Sequence, residues 1–284
     1  MSLAEPDIRP GLVPATLNYC VRTPDKPQFH AQDHRRDNIV YEPRPVLVQD
    51  GRALAEQPSL MKDGFALVHH KTAVTSFHDR EQVAGVYLEE IRRLILELTG
   101  AKRVEVMPGG GMVRYSERSP LYGTGMNTGP ARFPHVDWTP RSAPGLVAND
   151  GFGLPKTELQ PSERLIGYNI WRPITPPPQD VPLALCDPAS VDPEDLIEAD
   201  GVYDAGDPST WWRSEAYVLG HNPRHRWIYW SQMGPEDALV FRAYDNLPGW
   251  RAHVPHYAFD DPTCPPGVPG RESVEARAYA VFDS

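Results

Sequence analysis

Apolar residues recur at helical spacing over one long stretch of the chain. From about residue 77 to 99, Val83, Tyr87, Ile91, Leu94, Ile95 and Leu98 fall on one side, while Glu89, Glu90, Arg92, Arg93 and Glu97 fall mostly on the other. This pattern predicts an amphipathic helix with one face to lay on a sheet. Ser76 and Asp79 form a weak capping box at its start, and Gly100 stops it. Elsewhere the apolar runs are short and separated by turn residues. They predict strands at 45–48, 64–70, 103–107, 112–115, around His135 to Asp137, and at 165–174, 183–186, 216–219, 226–230, 238–244 and 273–282. Many short strands between turns point to a mainly β fold, a sandwich, barrel or jelly roll with a flanking helix. Residues 1–60 carry Pro10, Pro14, Pro24, Pro27, Pro43 and Pro45 with little periodicity, and are read as an extended arm packed on a core formed by 61–284. The whole is expected to be a single structural domain.

Composition narrows the function more than the fold. A chain of 284 residues can bury a full core, and 32 Pro with 22 Gly argue against a helical bundle. Lys+Arg 28 against Asp+Glu 38 gives a net charge of -10, so neither nucleic acid nor an anionic membrane surface is expected as a partner. Cys20, Cys186 and Cys264 lie far apart without a Cys-x-x-Cys pair. They read as thiols of a reducing compartment. The first residues lack the basic and apolar regions of a signal peptide, and no apolar run reaches membrane-spanning length. A cytoplasmic location is therefore expected.

The candidate chemistry centres on Phe133-Pro-His-Val-Asp-Trp-Thr-Pro140. In an extended strand, His135 and Asp137 leave the same face. They would supply two thirds of a 2-His-1-carboxylate facial triad, which holds a metal and leaves the opposite positions open. With 10 His and 21 Asp in 284 residues, about one His-x-Asp is expected by chance. The tripeptide alone is weak evidence. For the second histidine, His221 and His225 flank Asn222-Pro223 and read as loop residues; of His253 and His256 only one can face inward, and His256 follows the core strand at 238–244. His69 and His70 read as strand-end residues, and Gly109-Gly110-Gly111 as a turn. The polar loop from Glu117 to Pro130 fits a lid over the site.

The last strand alternates Arg271, Ser273, Glu275, Arg277 and Tyr279 with Val274, Ala276, Ala278, Ala280 and Phe282. Its polar face either lines a ligand cavity or meets solvent. Arg271 and Ser273 could together grip a carboxylate. Trp138, Trp171, Trp227, Tyr229 and Trp230 are candidates for aromatic walls or for core, and Arg114, Arg132, Arg141 and Arg172 for a local basic pocket.

Several segments, in order, carry a family resemblance: Ala15-Thr-Leu-Asn-Tyr19, Lys62-Asp-Gly-Phe65, Thr99-Gly-Ala101, His135-Val-Asp137, Asn169-Ile-Trp-Arg-Pro-Ile174, Pro182-Leu-Ala-Leu-Cys-Asp187, His225-Arg-Trp227, Pro255-His-Tyr-Ala-Phe-Asp-Asp-Pro262 and Arg271-Glu-Ser-Val-Glu-Ala-Arg277. Together they resemble the gibberellin desaturase-like family, which includes a cephamycin methoxylation protein and tailoring enzymes of natural-product pathways. The resemblance implies a double-stranded β-helix (a cupin-like jelly roll) using Fe(II), 2-oxoglutarate and dioxygen. It implies His135, Asp137 and His256 as metal ligands and Arg271 with Ser273, or else Arg277, as the co-substrate anchor. It also makes Tyr168, Asn169 and Arg172 candidates for contact with co-substrate or substrate. The implied reaction couples decarboxylation of 2-oxoglutarate to succinate with hydroxylation, desaturation or ring closure of a small-molecule substrate. A homodimer or a paired oxygenase subunit also fits the resemblance. A non-catalytic jelly-roll subunit and a zinc hydrolase with the same three ligands are the competing readings.

Overall fold

The computed structural model describes residues 11–31, 33–108, 110–124, 129–143, 163–204, 207–247 and 253–283. Part of the expected lid, residues 125–128, and Gly109 of the triple glycine lie outside them. In chain order the strands are β1 Leu12–Cys20, β2 Gln28–His30, β3 Tyr41–Asp50, β4 Phe65–His69, β5 Arg103–Val106, β6 Met112–Tyr115, β7 His135–Val136 and β8 Arg164–Pro173. Then come β9 Leu183–Cys186, β10 Leu196–Tyr203, β11 Trp212–Leu219, β12 Trp227–Tyr229, β13 Asp237–Asp245, β14 His256–Ala258 and β15 Glu272–Phe282. They form a nine-stranded sheet ordered β1-β3-β12-β9-β14-β7-β11-β10-β2 and a six-stranded sheet ordered β4-β13-β8-β15-β5, with β6 also paired to β15. Phe65, Trp171, Leu239 and Phe241 of the smaller sheet pack with Leu183, Leu185 and Ile228 of the larger, so the two sheets face each other as a jelly roll.

The helix covers the outside of the smaller sheet, where its apolar stripe predicts it should lie. Val83, Tyr87, Ile91, Leu94 and Ile95 pack on Ile166, Ile170, Val240, Val274 and the small residues Ala276, Ala278 and Ala280. Three points differ from the sequence reading. The helix begins at Arg80 and passes through a π turn, Val83–Tyr87, before α-helical Leu88–Thr99. Its N-cap is Asp79, whose carboxylate accepts from the backbone N–H of Glu81 and Gln82 at 2.9 and 3.2 Å; Ser76 does not cap it. At the other end Gly100 closes the helix at φ 64°, a left-handed conformation that glycine adopts without strain.

The N-terminal segment is more regular than its prolines suggest. β1 pairs with β3 along nine residues, and β3 continues into the sheet by pairing with β12 at Val48, Gln49 and Asp50. Pro14 sits on the edge strand, and Pro43 and Pro45 on the part of β3 beyond β12, where one row of backbone N–H groups has no strand to serve.

Candidate active site

The site lies between the sheets, and strand register assembles it. β14 pairs antiparallel with β7, and the pair places His256 directly opposite His135. Their ring centroids are 4.2 Å apart. Pairing of β7 ends at Val136, one residue short of the expected strand, because β11 matches only His135 and Val136. Asp137 is therefore free to reach across to the smaller sheet. The ligand atoms of His135, Asp137 and His256 all lie within 4.8 Å of one another, close enough for a single ion to draw them together.

The surroundings of the three suit metal binding. His135 Nδ1 is 2.9 Å from the Phe133 carbonyl, which can only accept, so Nδ1 carries the proton. The lone pair of Nε2 is left 3.7 Å from Asp137 Oδ1. His256 is buried, and burial, followed by the neighbouring His135, pushes its pKa down to about 3, keeping the ring neutral. Burial works to raise the Asp137 pKa, but the Arg277 charge beside it outweighs burial and holds the carboxyl below its usual range. Two imidazoles and one carboxylate are the donor set of a non-haem Fe(II) centre. His256 Nδ1 and Asn169 Oδ1 are buried without a hydrogen-bond partner, as fits side chains whose proper partner is a bound group.

Opposite these three residues, the polar face of β15 lines a cleft. The alternation read from the sequence thus serves a cavity rather than solvent. Arg271 is 1% exposed. Its Nε donates to the Val181 carbonyl at 2.9 Å, Nη1 donates to Ser273 Oγ, and its carbon lies 5.8 Å over the Trp171 ring. Among the described residues, this guanidinium has no carboxylate partner. Asp180 instead accepts the Arg271 backbone N–H at 2.7 Å and the Ser116 hydroxyl at 2.8 Å. Burial, the largest influence, lowers the Arg271 pKa only to about 10, so it stays charged at neutral pH. Arg277 differs: its Nε is 3.0 Å from Asp137 Oδ2 and its Nη2 is 3.7 Å from Glu275.

Several candidates lie elsewhere. Arg172 shares β8 with Asn169 but leaves the opposite face, donating to the carbonyls of His70 and Pro235 at 2.8 and 2.7 Å and to His70 Nδ1 at 2.6 Å. Tyr168 is buried with it on the helix side. Three residues apart on one strand, Asn169 and Arg172 cannot both face inward. Of the four arginines read as a basic pocket only Arg114 lines the cleft, and Glu275 accepts from it at 2.7 Å. Arg132 is held by Glu117 and Asp260, and Arg141 by Glu198 and Glu215. Of the five aromatic candidates Trp171 lines the cleft; Trp138, Trp227, Tyr229 and Trp230 are core. His253 turns away from His256, its Nδ1 3.0 Å from the Ala243 carbonyl, and His225 is tied to Asp195 and Tyr19.

The sequence reading missed the cleft wall formed by Phe29, His34, Tyr203 and Ser214. Tyr203 ends β10, a strand whose Ile197, Ala199 and Gly201 alternate with Glu198 and Asp200. Weak hydrophobicity hid that alternation.

Comparison with known proteins places the chain. Residues 17–282 match the oxidoreductase/YMDC permease-like domain family. The hydroxylase/desaturase efuI of Hormonema carpetanum is 32% identical over 263 residues, 86% of this chain and 85% of that protein. The alpha-ketoglutarate-dependent dioxygenase phiK of a fungal species is 29% identical over 287 residues, 96% of this chain and 97% of that protein. Among solved structures, the iron and alpha-ketoglutarate-dependent endoperoxidase NvfI superimposes with a TM-score of 0.78 at 21% identity, covering 97% of this chain and 100% of the other. With its fold, its three converging ligands and a match over nearly its full length, the chain belongs to the oxidoreductase/YMDC permease-like domain family.

Proposed function

We propose that this chain is a non-haem Fe(II)- and 2-oxoglutarate-dependent dioxygenase that hydroxylates, desaturates or ring-closes a small-molecule natural-product intermediate, in the branch typified by gibberellin desaturase-like and cephamycin methoxylation proteins. The observation that carries the reading is the juxtaposition of two unlike sites in one cleft. His135, Asp137 and His256 converge at one point, and the buried guanidinium of Arg271, which among the described residues has no carboxylate within ion-pair distance, faces the same space. A buried cation without an anion is costly, so the arrangement calls for a carboxylate ligand. The efuI and phiK relatives, by name a hydroxylase/desaturase and an alpha-ketoglutarate-dependent dioxygenase, support the same chemistry.

In this reading His135, Asp137 and His256 hold Fe(II), and Arg271 with Ser273 holds the distal carboxylate of 2-oxoglutarate. When bound, the metal and co-substrate supply dioxygen activation coupled to decarboxylation of 2-oxoglutarate to succinate. The protein's part is orientation and exclusion of water. Phe241 packs on His256 at 4.9 Å and Phe133 on His135 at 5.2 Å, so both imidazoles are braced by rings that also wall the cleft. Phe133 is itself held between Phe29 and Tyr41, at 5.3 and 6.1 Å. The three free cysteines fit a reducing, cytoplasmic setting.

Succinate formation from 2-oxoglutarate in the presence of Fe(II) and air, without added substrate, tests this. Slow succinate release by the wild type, lost in His135→Ala and His256→Ala together with iron binding, is the expected result. Turnover supported by zinc alone, or iron affinity unchanged in either variant, would overturn it.

A further inference from the structure

We propose that Asn169 and Arg277 are positioning residues that clamp the outer oxygen of Asp137, so that Oδ1 alone is presented to the metal. This rests on the dioxygenase reading and extends it to the geometry of the ligand carboxylate. The two oxygens of Asp137 have different surroundings. Oδ1 faces the histidines, 3.7 Å from His135 Nε2. Oδ2 accepts two hydrogen bonds from the opposite sheet, from Asn169 Nδ2 at 2.7 Å and from Arg277 Nε at 3.0 Å.

The clamp is a product of register. β8 and β15 pair antiparallel with Asn169 directly opposite Arg277, so both side chains leave one face of the smaller sheet at the same point. Arg277 is steered in turn by Glu275, which lies 3.7 Å from its Nη2 and accepts a 2.7 Å bond from Arg114 Nη2. Arg114, Glu275, Arg277 and Asp137 thus alternate in charge from β6 to the ligand. An oxygen already accepting two donors, one of them charged, has little left to offer a cation. A carboxylate that used both oxygens would take one of the three positions that a facial triad keeps open for a chelating co-substrate and dioxygen.

The test compares wild type with Asn169→Ala, Arg277→Met and Arg277→Lys, each first checked for folding by circular dichroism. Anaerobic titration with Co(II), followed by its d–d absorption, reads the ligand set without co-substrate. Titration with Fe(II) and then 2-oxoglutarate reads the chelate by its visible charge-transfer band. Asn169→Ala and Arg277→Met are expected to weaken Co(II) and Fe(II) binding about 10- to 100-fold and to change both spectra at saturation, with Arg277→Lys recovering part of the loss. Wild-type metal affinity and unchanged spectra in folded Asn169→Ala and Arg277→Met would overturn the clamp. If Arg277→Met does not fold, Asn169→Ala decides alone. A wild type that binds Co(II) but yields no chelate band would overturn the dioxygenase reading, while the cobalt affinities still decide the clamp.

Discussion

Two arginines six positions apart, Arg271 immediately before β15 and Arg277 within it, have opposite electrostatic roles. Arg277 is neutralised by Asp137 and Glu275, whereas Arg271 lies against the neutral oxygens of Val181 and Ser273. The sequence puts both in one alternating register but does not rank them, because the ranking depends on what the opposite sheet places beside each. Arg271→Ala should therefore raise the 2-oxoglutarate concentration needed for half-maximal succinate formation about 10- to 100-fold, the value of a charged hydrogen bond or two, while iron affinity holds. Arg277→Ala should show the converse pattern, weaker iron binding with a smaller change in co-substrate requirement. Separate metal and 2-oxoglutarate titrations of the two variants distinguish these, and a reversed pattern would make Arg277 the anchor. The three candidate metal ligands were named residue by residue, through a tripeptide expected about once by chance and a resemblance spread over the chain, and the structure brings them together. Geometry adds that His256 meets His135 as a cross-strand neighbour.

At the level of elements, strands with strong apolar alternation were visible and weakly hydrophobic ones were not. β9 matches its expected bounds, and β8, β13 and β15 differ from theirs by a residue at one or both ends. β1 was hidden by Pro14, β10 by Glu198, Asp200 and Gly201, and β14 by its brevity. Edge position, polar faces and long-range pairing allow such segments to be strands, and none of these is local information. One packing detail ties an element to the chemistry. Trp138, next to Asp137, stacks on Tyr279 at 5.0 Å and covers Gly167 of β8 so closely that an added Cβ would lie 2.0 Å from its ring. Gly167→Ala is expected to cost about 1–3 kcal/mol by overpacking and to weaken iron binding by moving Trp138 and with it Asp137. Thermal unfolding and iron titration of this variant check both effects; iron binding unchanged despite lost stability would show that Asp137 is held independently of Trp138.

The whole molecule explains why the site exists only once the chain is folded. Its candidate ligands come from β7 and β14 of the larger sheet and from the turn after β7, while Asn169 and Arg277, which bond Asp137, come from β8 and β15 of the smaller, and the candidate anchor Arg271 from the residue just before β15. The mainly β class was legible from short strands and turns, and the jelly roll from the family resemblance. The division into two sheets, and which strand lies next to which, was not, since β14 pairs with β7 and β9, strands far from it in the chain. No helix of the described residues is long and apolar enough to cross a membrane. The net charge of -10 surrounds a cleft whose buried Arg271 is positive, so an anionic co-substrate is drawn by the local site and not by the molecule's overall field. The most direct test is anaerobic titration of the metal-free protein with Fe(II) and then 2-oxoglutarate. A weak visible charge-transfer band that saturates at one equivalent of each is the result expected from a cleft holding both ligands together. A folded, iron-loaded protein that shows no band at any 2-oxoglutarate concentration would contradict it.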